Sequence, residues 1–348
     1  MEQDLPTLKE LGWTPALDAW ADKTPYAAKG RVTQASRGFC FVTAEDEMIV
    51  ASSASVRASL DMEPSTGDFV TIVDDPEDGP VLDRIAPRTS LLTRRASGRV
   101  PEPQILAANA DEILVMHGLD REFNARRIER QLVLAYESGA TPVIVLTKTD
   151  LCDNTDEQVG WVQEIAPGVD VITTSVVDDG GLDSLRERLV GTRTLALLGL
   201  SGIGKSTIVN SLCGGEIQRV NEVREKDLRG RHTTVTRDLI VIEGGGILID
   251  TPGVREFGLW QSYDGLALTF PLLAAAECRF ADCEHGEEPG CGVQELLSSG
   301  TVPRRRFDHW MDLRAELAQQ ELDLEIHDKK VAARSRQSAK VPKRRRKF

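Results

Sequence analysis

Residues 194–212 read TLALLGLSGIGKSTIVNSL, and this stretch decides the fold. An apolar strand signal leads into Gly199-Leu200-Ser201-Gly202-Ile203-Gly204-Lys205-Ser206, which fits GxxxxGK[ST], and Thr207, Ile208, Val209 and Leu212 continue it as a helix. In such a loop the glycines let backbone N–H groups turn inward on phosphates, Lys205 reaches the β and γ phosphates, and the Ser206 hydroxyl ligates Mg²⁺. An ordinary glycine-rich turn does not require strand, lysine, hydroxyl and helix in register, so a P-loop in an α/β domain is expected.

Downstream, GGGILIDTPG ends a buried strand on Asp250, which can hold the Mg²⁺ through water, and places the Gly253 N–H for a γ-phosphate. Between these segments, Glu216 to Arg237 is polar and contains GRHTTVTR, the pattern of a switch loop. Thr234, or failing that Thr233, is the candidate to complete the Mg²⁺ shell. Where many GTPases carry a water-orienting glutamine just after DxxG, this chain has Val254. Another residue or a partner must then position the water, and His232 is the candidate, a contact to RNA phosphate being its competing reading.

Upstream, PVIVL runs into Thr147-Lys148-Thr149-Asp150, close to the NKxD element that reads guanine. The Asp150 carboxylate can accept both the N1 and N2 hydrogens of guanine, which disfavours an ATPase. Thr147 stands where asparagine is usual, and the loss of an amide is expected to weaken guanine binding. Thr174-Ser175-Val176 occupies the place of the loop whose backbone meets the guanine oxygen, making Ser175 and Val176 nucleotide contacts. The order discriminates: TKTD precedes GLSGIGKS by about fifty residues, so the G domain is circularly permuted. Both elements sit at strand ends on one sheet edge, so the connections can be re-cut.

Around this centre, EILVMHG, VDVITTS and RDLIVIE add strands, and FNARRIERQLVLAYESG puts Ile128, Leu132 and Ala135 on one helical face. Helical stretches are expected near Glu157–Ile165, Leu182–Val190 and Lys205–Leu212, giving a mostly parallel sheet covered on both faces across residues 91–264. Residues 29–90 carry five short β signals, GRV, FCFV, EMIVA, GDFVTIV and GPVLDRI. They suit a small barrel, OB-like or SH3-like, which periodicity does not separate. Arg31, Arg37, Phe39 and Phe41 offer cations and rings for RNA there, although the alternating rings also read as core. Residues 1–28 form an extension that docks or stays mobile.

Beyond about residue 265, Cys278, Cys283, His285 and Cys291 make C-x4-C-x-H-x5-C, a closed Cys₃His set for one structural zinc. A Cys278–Cys283 disulfide or solvent-exposed thiols are the alternatives. Cys40, Cys152 and Cys213 read as packing residues. Arg304 to Asp328 is a polar helical stretch within a zinc-binding, mostly helical domain at 265–328.

The chain of 348 residues carries 42 Lys and Arg against 55 Asp and Glu, a net of −13. The final segment, 329–348, holds ten basic residues and no acidic one, leaving 32 basic against 55 acidic residues, −23, on the first 328. That tail is the candidate for RNA phosphates, and the acidic body disfavours indiscriminate binding. No signal peptide or spanning run is apparent, so a cytoplasmic protein without a membrane partner is expected, and nothing calls for more than a monomer.

Barrel, AANADEILV, TKTDL, GLSGIGKSTIVN, GRHTTVTRD, IDTPGVREFGL and CRFADCEHGEEPGCGV together resemble the ribosome small-subunit-dependent GTPase A family, from Lys29 to about Leu297. The resemblance implies an OB-fold, a permuted G domain and a zinc-binding domain with the same four ligands. It also implies GTP hydrolysis to GDP in late maturation of the small (30S) ribosomal subunit. The GTP state would bind the subunit and its 16S rRNA, and subunit-stimulated hydrolysis would drive release. The alternative is an rRNA-binding assembly factor that senses nucleotide, with turnover incidental.

Overall fold

The computed structural model describes residues 5–36, 38–45, 47–60, 62–96, 102–178, 181–214, 237–253, 256–286 and 288–340. Arg37, His232, Thr233, Thr234, Val254 and residues 341–348 lie outside the described residues. The chain divides into two compact units, Met1–Thr93 with Ile105–Phe257, and Arg94–Gln104 with Gly258–Phe348.

The first unit opens with a docked segment. Leu8 and Leu11 are buried, and Thr14 caps α1 (Pro15–Ala21) by accepting from the Leu17 N–H. The Arg84 guanidinium donates to the carbonyls of Trp20 and Ala21 at 3.2 and 2.7 Å, tying α1 to the barrel that follows.

That barrel is closed in the order β1-β2-β3-β5-β4, from β1 (Ala28–Ser36), β2 (Phe39–Thr43), β3 (Met48–Ser52), β4 (Phe69–Asp75) and β5 (Gly79–Ile85). α2 (Ala54–Leu60) lies between β3 and β4, and β3 meets β5 in parallel. This ring order with a helix after the third strand is the OB arrangement, not the SH3-like one. Val32, Cys40, Val42, Val70, Ile72 and Leu82 fill its interior.

β1 is buried continuously from Gly30 to Gln34, because one face lines the barrel and the other abuts the rest of the unit. Arg31 therefore does not present a cation to RNA. It is 1% exposed, and its guanidinium donates to Gly67 O, Leu11 O, Thr194 Oγ1 and Asn109 O at 2.9–3.2 Å. Phe41 is buried and meets the half-buried Phe39 edge-on at 5.7 Å, so this pair belongs largely to packing.

β6 (Leu91–Arg95) and β7 (Pro103–Ala108) pair as a ribbon, and a six-stranded sheet follows in the order β10-β9-β8-β11-β13-β12. Its strands are β8 (Glu112–Gly118), β9 (Thr141–Thr147), β10 (Asp170–Thr174), β11 (Thr194–Leu198), β12 (Asp238–Val241) and β13 (Ile247–Asp250). All neighbours are parallel except the edge strand β12. The connecting helices are α3 (Ala125–Glu137), α4 (Thr155–Ile165), α5 (Asp183–Arg188) and α6 (Lys205–Leu212). Asn124 caps α3 at the Arg127 N–H, and Ile128, Leu132 and Ala135 are buried as the helical period requires. On the α6 side, Met116, Leu197, Ile203, Ile208 and Val209 share one core cluster.

The second unit carries α7 (Tyr263–Thr269), α8 (Pro271–Ala274), α9 (Gly292–Ser298) and α10 (Arg304–Lys340). Phe307, Trp310, Leu313 and Leu317 make the buried stripe of α10. The helix passes Asp328 and continues to Lys340, because the Ala-, Arg-, Lys- and Gln-rich sequence there favours helix whatever its charge. Among the described residues, no helix is long and apolar enough to cross a membrane.

Candidate nucleotide site and metal centre

Parallel strands deliver their carboxyl ends to one sheet edge, where ligands of α/β proteins bind. Here the ends of β8, β9, β10, β11 and β13 place Asp120, Thr147–Asp150, Ser175, the 199–206 loop and Asp250 on that edge.

The loop after β11 turns with positive φ at Gly202 (80°) and Gly204 (99°), conformations costly for any residue with a Cβ, and then opens α6 at Lys205. Lys205 is only 6% exposed, and its ammonium donates to Gly199 O and Leu200 O at 2.9 and 3.0 Å. Burial lowers its pKa to about 8, with the Asp250 carboxylate opposing the shift. Ser206 and Thr207 are exposed at the start of α6. Gly253 comes so close that a Cβ there would stand 2.7 Å from Ser201 Cα, so the loop after β13 lies directly against the phosphate loop.

At the end of β9, Thr147 is buried and its hydroxyl donates to Ile203 O at 2.7 Å. A hydroxyl has one proton to give, and here it joins the base loop to the phosphate loop, so Thr147 has no donor left for a base. Lys148 has left-handed backbone (φ 61°, ψ 41°), and its ammonium donates to Gly202 O at 2.9 Å and to Asp120 Oδ2 at 2.6 Å. Thr149 begins a short 3₁₀ turn, Thr149–Leu151. Asp150 is exposed, and its Oδ1 accepts from the Ser175 hydroxyl at 2.7 Å. That hydroxyl in turn accepts from the Val177 N–H at 3.1 Å, fixing the Ser175–Val177 loop beside Asp150. Leu151, Val176 and Val177 are 63%, 41% and 73% exposed, giving apolar edges around one carboxylate, a surface suited to a flat base.

Asp120 is the residue of this edge that motif reading missed. Its only sequence signal is a carboxylate directly after a buried strand.

His117, at the end of β8, is 2% exposed, with its ring edge-on to Phe123. Burial lowers its pKa to about 4, so at neutral pH it is an uncharged core group.

In the second unit, one ligand atom from each of Cys278, Cys283, His285 and Cys291 lies within 4.8 Å of all the others. Cys278 Sγ is 3.8 Å from Cys291 Sγ, and His285 Nδ1 is 3.5 and 3.6 Å from these two sulfurs. Tetrahedral zinc with bonds of about 2.3 Å to sulfur and 2.05 Å to nitrogen sets edges of about 3.8 and 3.5 Å, so the donor set fits that ion. All six cysteines are free thiols, so the Cys278–Cys283 disulfide is not formed. An isolated bridge between Cys278 and Cys291 and the Gln294 amide on His285 O hold the cluster's backbone. Cys40 is buried as a packing residue, whereas Cys152 and Cys213 are half-buried.

A family model described as RsgA GTPase matches residues 85–260. A protein of Syntrophotalea carbinolica, small ribosomal subunit biogenesis GTPase RsgA, is 38% identical over 347 residues, covering 95% of each chain. One of the same name from Streptomyces coelicolor is 42% identical over 321 residues, 89% of this chain and 86% of its own. Among solved structures, YjeQ from Thermotoga maritima aligns with TM-score 0.61 and 26% identity, over 84% of this chain and 98% of that one. YloQ, a circularly permuted GTPase, aligns with TM-score 0.56 and 23% identity, over 84% of this chain and 95% of that one, a likeness of fold.

Proposed function

The chain belongs to the RsgA GTPase family and is a GTP hydrolase, and we propose that it acts in maturation of the small ribosomal subunit, binding that subunit and its 16S rRNA in the GTP state and leaving on hydrolysis. The observation that carries this reading is the joining of base loop to phosphate loop through Thr147–Ile203 and Lys148–Gly202, beside an exposed Asp150. The ribosomal role is supported by the relatives' names.

In this reading Asp150 accepts the guanine N1 and N2 hydrogens, while Ser175 and Val176 border the base. Backbone N–H groups of 199–207 and of Gly253 surround the phosphates, and Lys205 supplies charge to the β and γ groups. Ser206 and Asp250 are hard oxygen donors on one edge and suit Mg²⁺, which neutralises developing phosphate charge. Thr234 is proposed to complete that shell and His232 to orient the attacking water. GTP and ATP hydrolysis measured with and without purified small subunits tests the reading. Guanine-specific turnover that rises with subunits is expected; ATP preference or no stimulation would overturn it.

Cys278, Cys283, His285 and Cys291 would hold one structural zinc, closing a segment with little core of its own. Metal analysis of the purified protein should give one zinc per chain, and a zinc-free protein with unchanged helix content would remove the assignment.

A further inference from the structure

Lys148 does two things at once. Its ammonium reaches the Gly202 carbonyl across the gap between base loop and phosphate loop, and it meets a carboxylate from a third strand end, Asp120 after β8. Its left-handed backbone is unfavourable for a residue with a Cβ and persists where surrounding contacts hold it. A long lysine stem held by one carbonyl alone would exchange readily with water. With the carboxylate at 2.6 Å the ammonium is held from both sides, in a pair only 28% and 23% exposed. Arg121, the other cation near Asp120, keeps its Nε 4.0 Å from the same oxygen. The Lys148 bond is therefore the dominant one. Burial raises the Asp120 pKa, but the bond and charge of Lys148, with Arg121 adding, more than offset it, so the carboxylate stays ionised at neutral pH.

We propose that Asp120 is a positioning residue of the nucleotide site, holding the Lys148 side chain across the base and phosphate loops so that both are set before nucleotide arrives. The proposal rests on the guanine-nucleotide reading above. Its logic is preorganisation: Thr147 has already committed its only proton to Ile203 O, so Lys148 is the other side-chain link between the two loops, and Asp120 keeps it in place. Gly202, whose carbonyl receives that link, sits at positive φ in the loop itself, so freeing the ammonium also frees that peptide to reorient. Asp120 acts on neither the γ-phosphate nor the base directly, so its loss should weaken GTP and GDP by the same factor.

The test is a double-mutant cycle on the full chain, reading GDP and GTP affinities for wild type, D120N, K148A and D120N/K148A. D120N keeps the size and removes the charge. It should cost about three- to tenfold in affinity for both nucleotides, with D120E recovering part of the loss. In the K148A background the second substitution should have no further effect. An equal D120N loss in both backgrounds, or none in the wild-type background, would overturn the proposal while leaving the guanine reading intact. Failure of the wild-type protein to bind GDP would overturn both.

Discussion

Among the described residues of the first unit, two places bury a Lys or Arg, the junction of barrel and sheet at Arg31 and the phosphate loop at Lys205. Exposure hardly differs, at 1% and 6%, and burial lowers both pKa values, to about 10 and about 8. What differs is the use of the donors. Arg31 gives four bonds to groups on Leu11, Gly67, Asn109 and Thr194, drawn from four separate parts of the chain. Its planar fork is consumed by architecture. Lys205 donates to two carbonyls of the loop it terminates, bonds that phosphate oxygens can replace. A buried cation thus marks a ligand site when its partners are local and exchangeable, and marks a joint when they are distant and fixed.

The contrast breaks most readily at Arg31. R31M would orphan buried carbonyls at the junction, and a loss of about 3 kcal/mol or more in urea unfolding is expected, with the folded protein still binding GDP. An unfolding midpoint equal to wild type would show that the fork holds nothing together. K205M should behave in the opposite sense. Nucleotide affinity should fall by the equivalent of about 2–5 kcal/mol, while the nucleotide-free protein keeps or gains stability because a costly buried charge is gone.

The same variant serves the smallest effect. Because folding lowers the Lys205 pKa from 10.5 to about 8, the unfolded chain binds more protons between those values. Stability of the nucleotide-free wild type should then rise with pH across that window, and K205M should flatten the rise. Polyphosphate restores the charge, so GDP binding at about pH 8.5 should take up a fraction of a proton, readable by calorimetry in two buffers. Absence of uptake in the wild type would mean that Lys205 is not the poorly compensated cation of the pair.

The phosphate loop, TKTD and the Cys₃His set were legible because each depends on local spacing, and α6 begins and ends where its apolar period places it. Arg31 was not legible. Alternation along β1 reports that a side chain is on the outer face of a barrel, and cannot report that a sheet strand 163 residues later covers that face. The β6–β7 ribbon went unassigned because neither LLTRR nor PQILAA alternates apolar with polar residues, although most of their positions are buried or half-buried. The end of α10 was placed at a change of charge, which is a change of partner and not of backbone preference. Asp120 was missed because its role is defined by Lys148, 28 residues on.

The four acceptors of Arg31 also impose a timetable. During synthesis the carbonyls of Leu11, Gly67 and Asn109 leave the ribosome early, but the Thr194 hydroxyl follows only after the base loop has emerged. The nascent barrel therefore carries an incompletely paired cation until β11 is made, and the native seam between barrel and sheet closes late, just ahead of the phosphate loop itself.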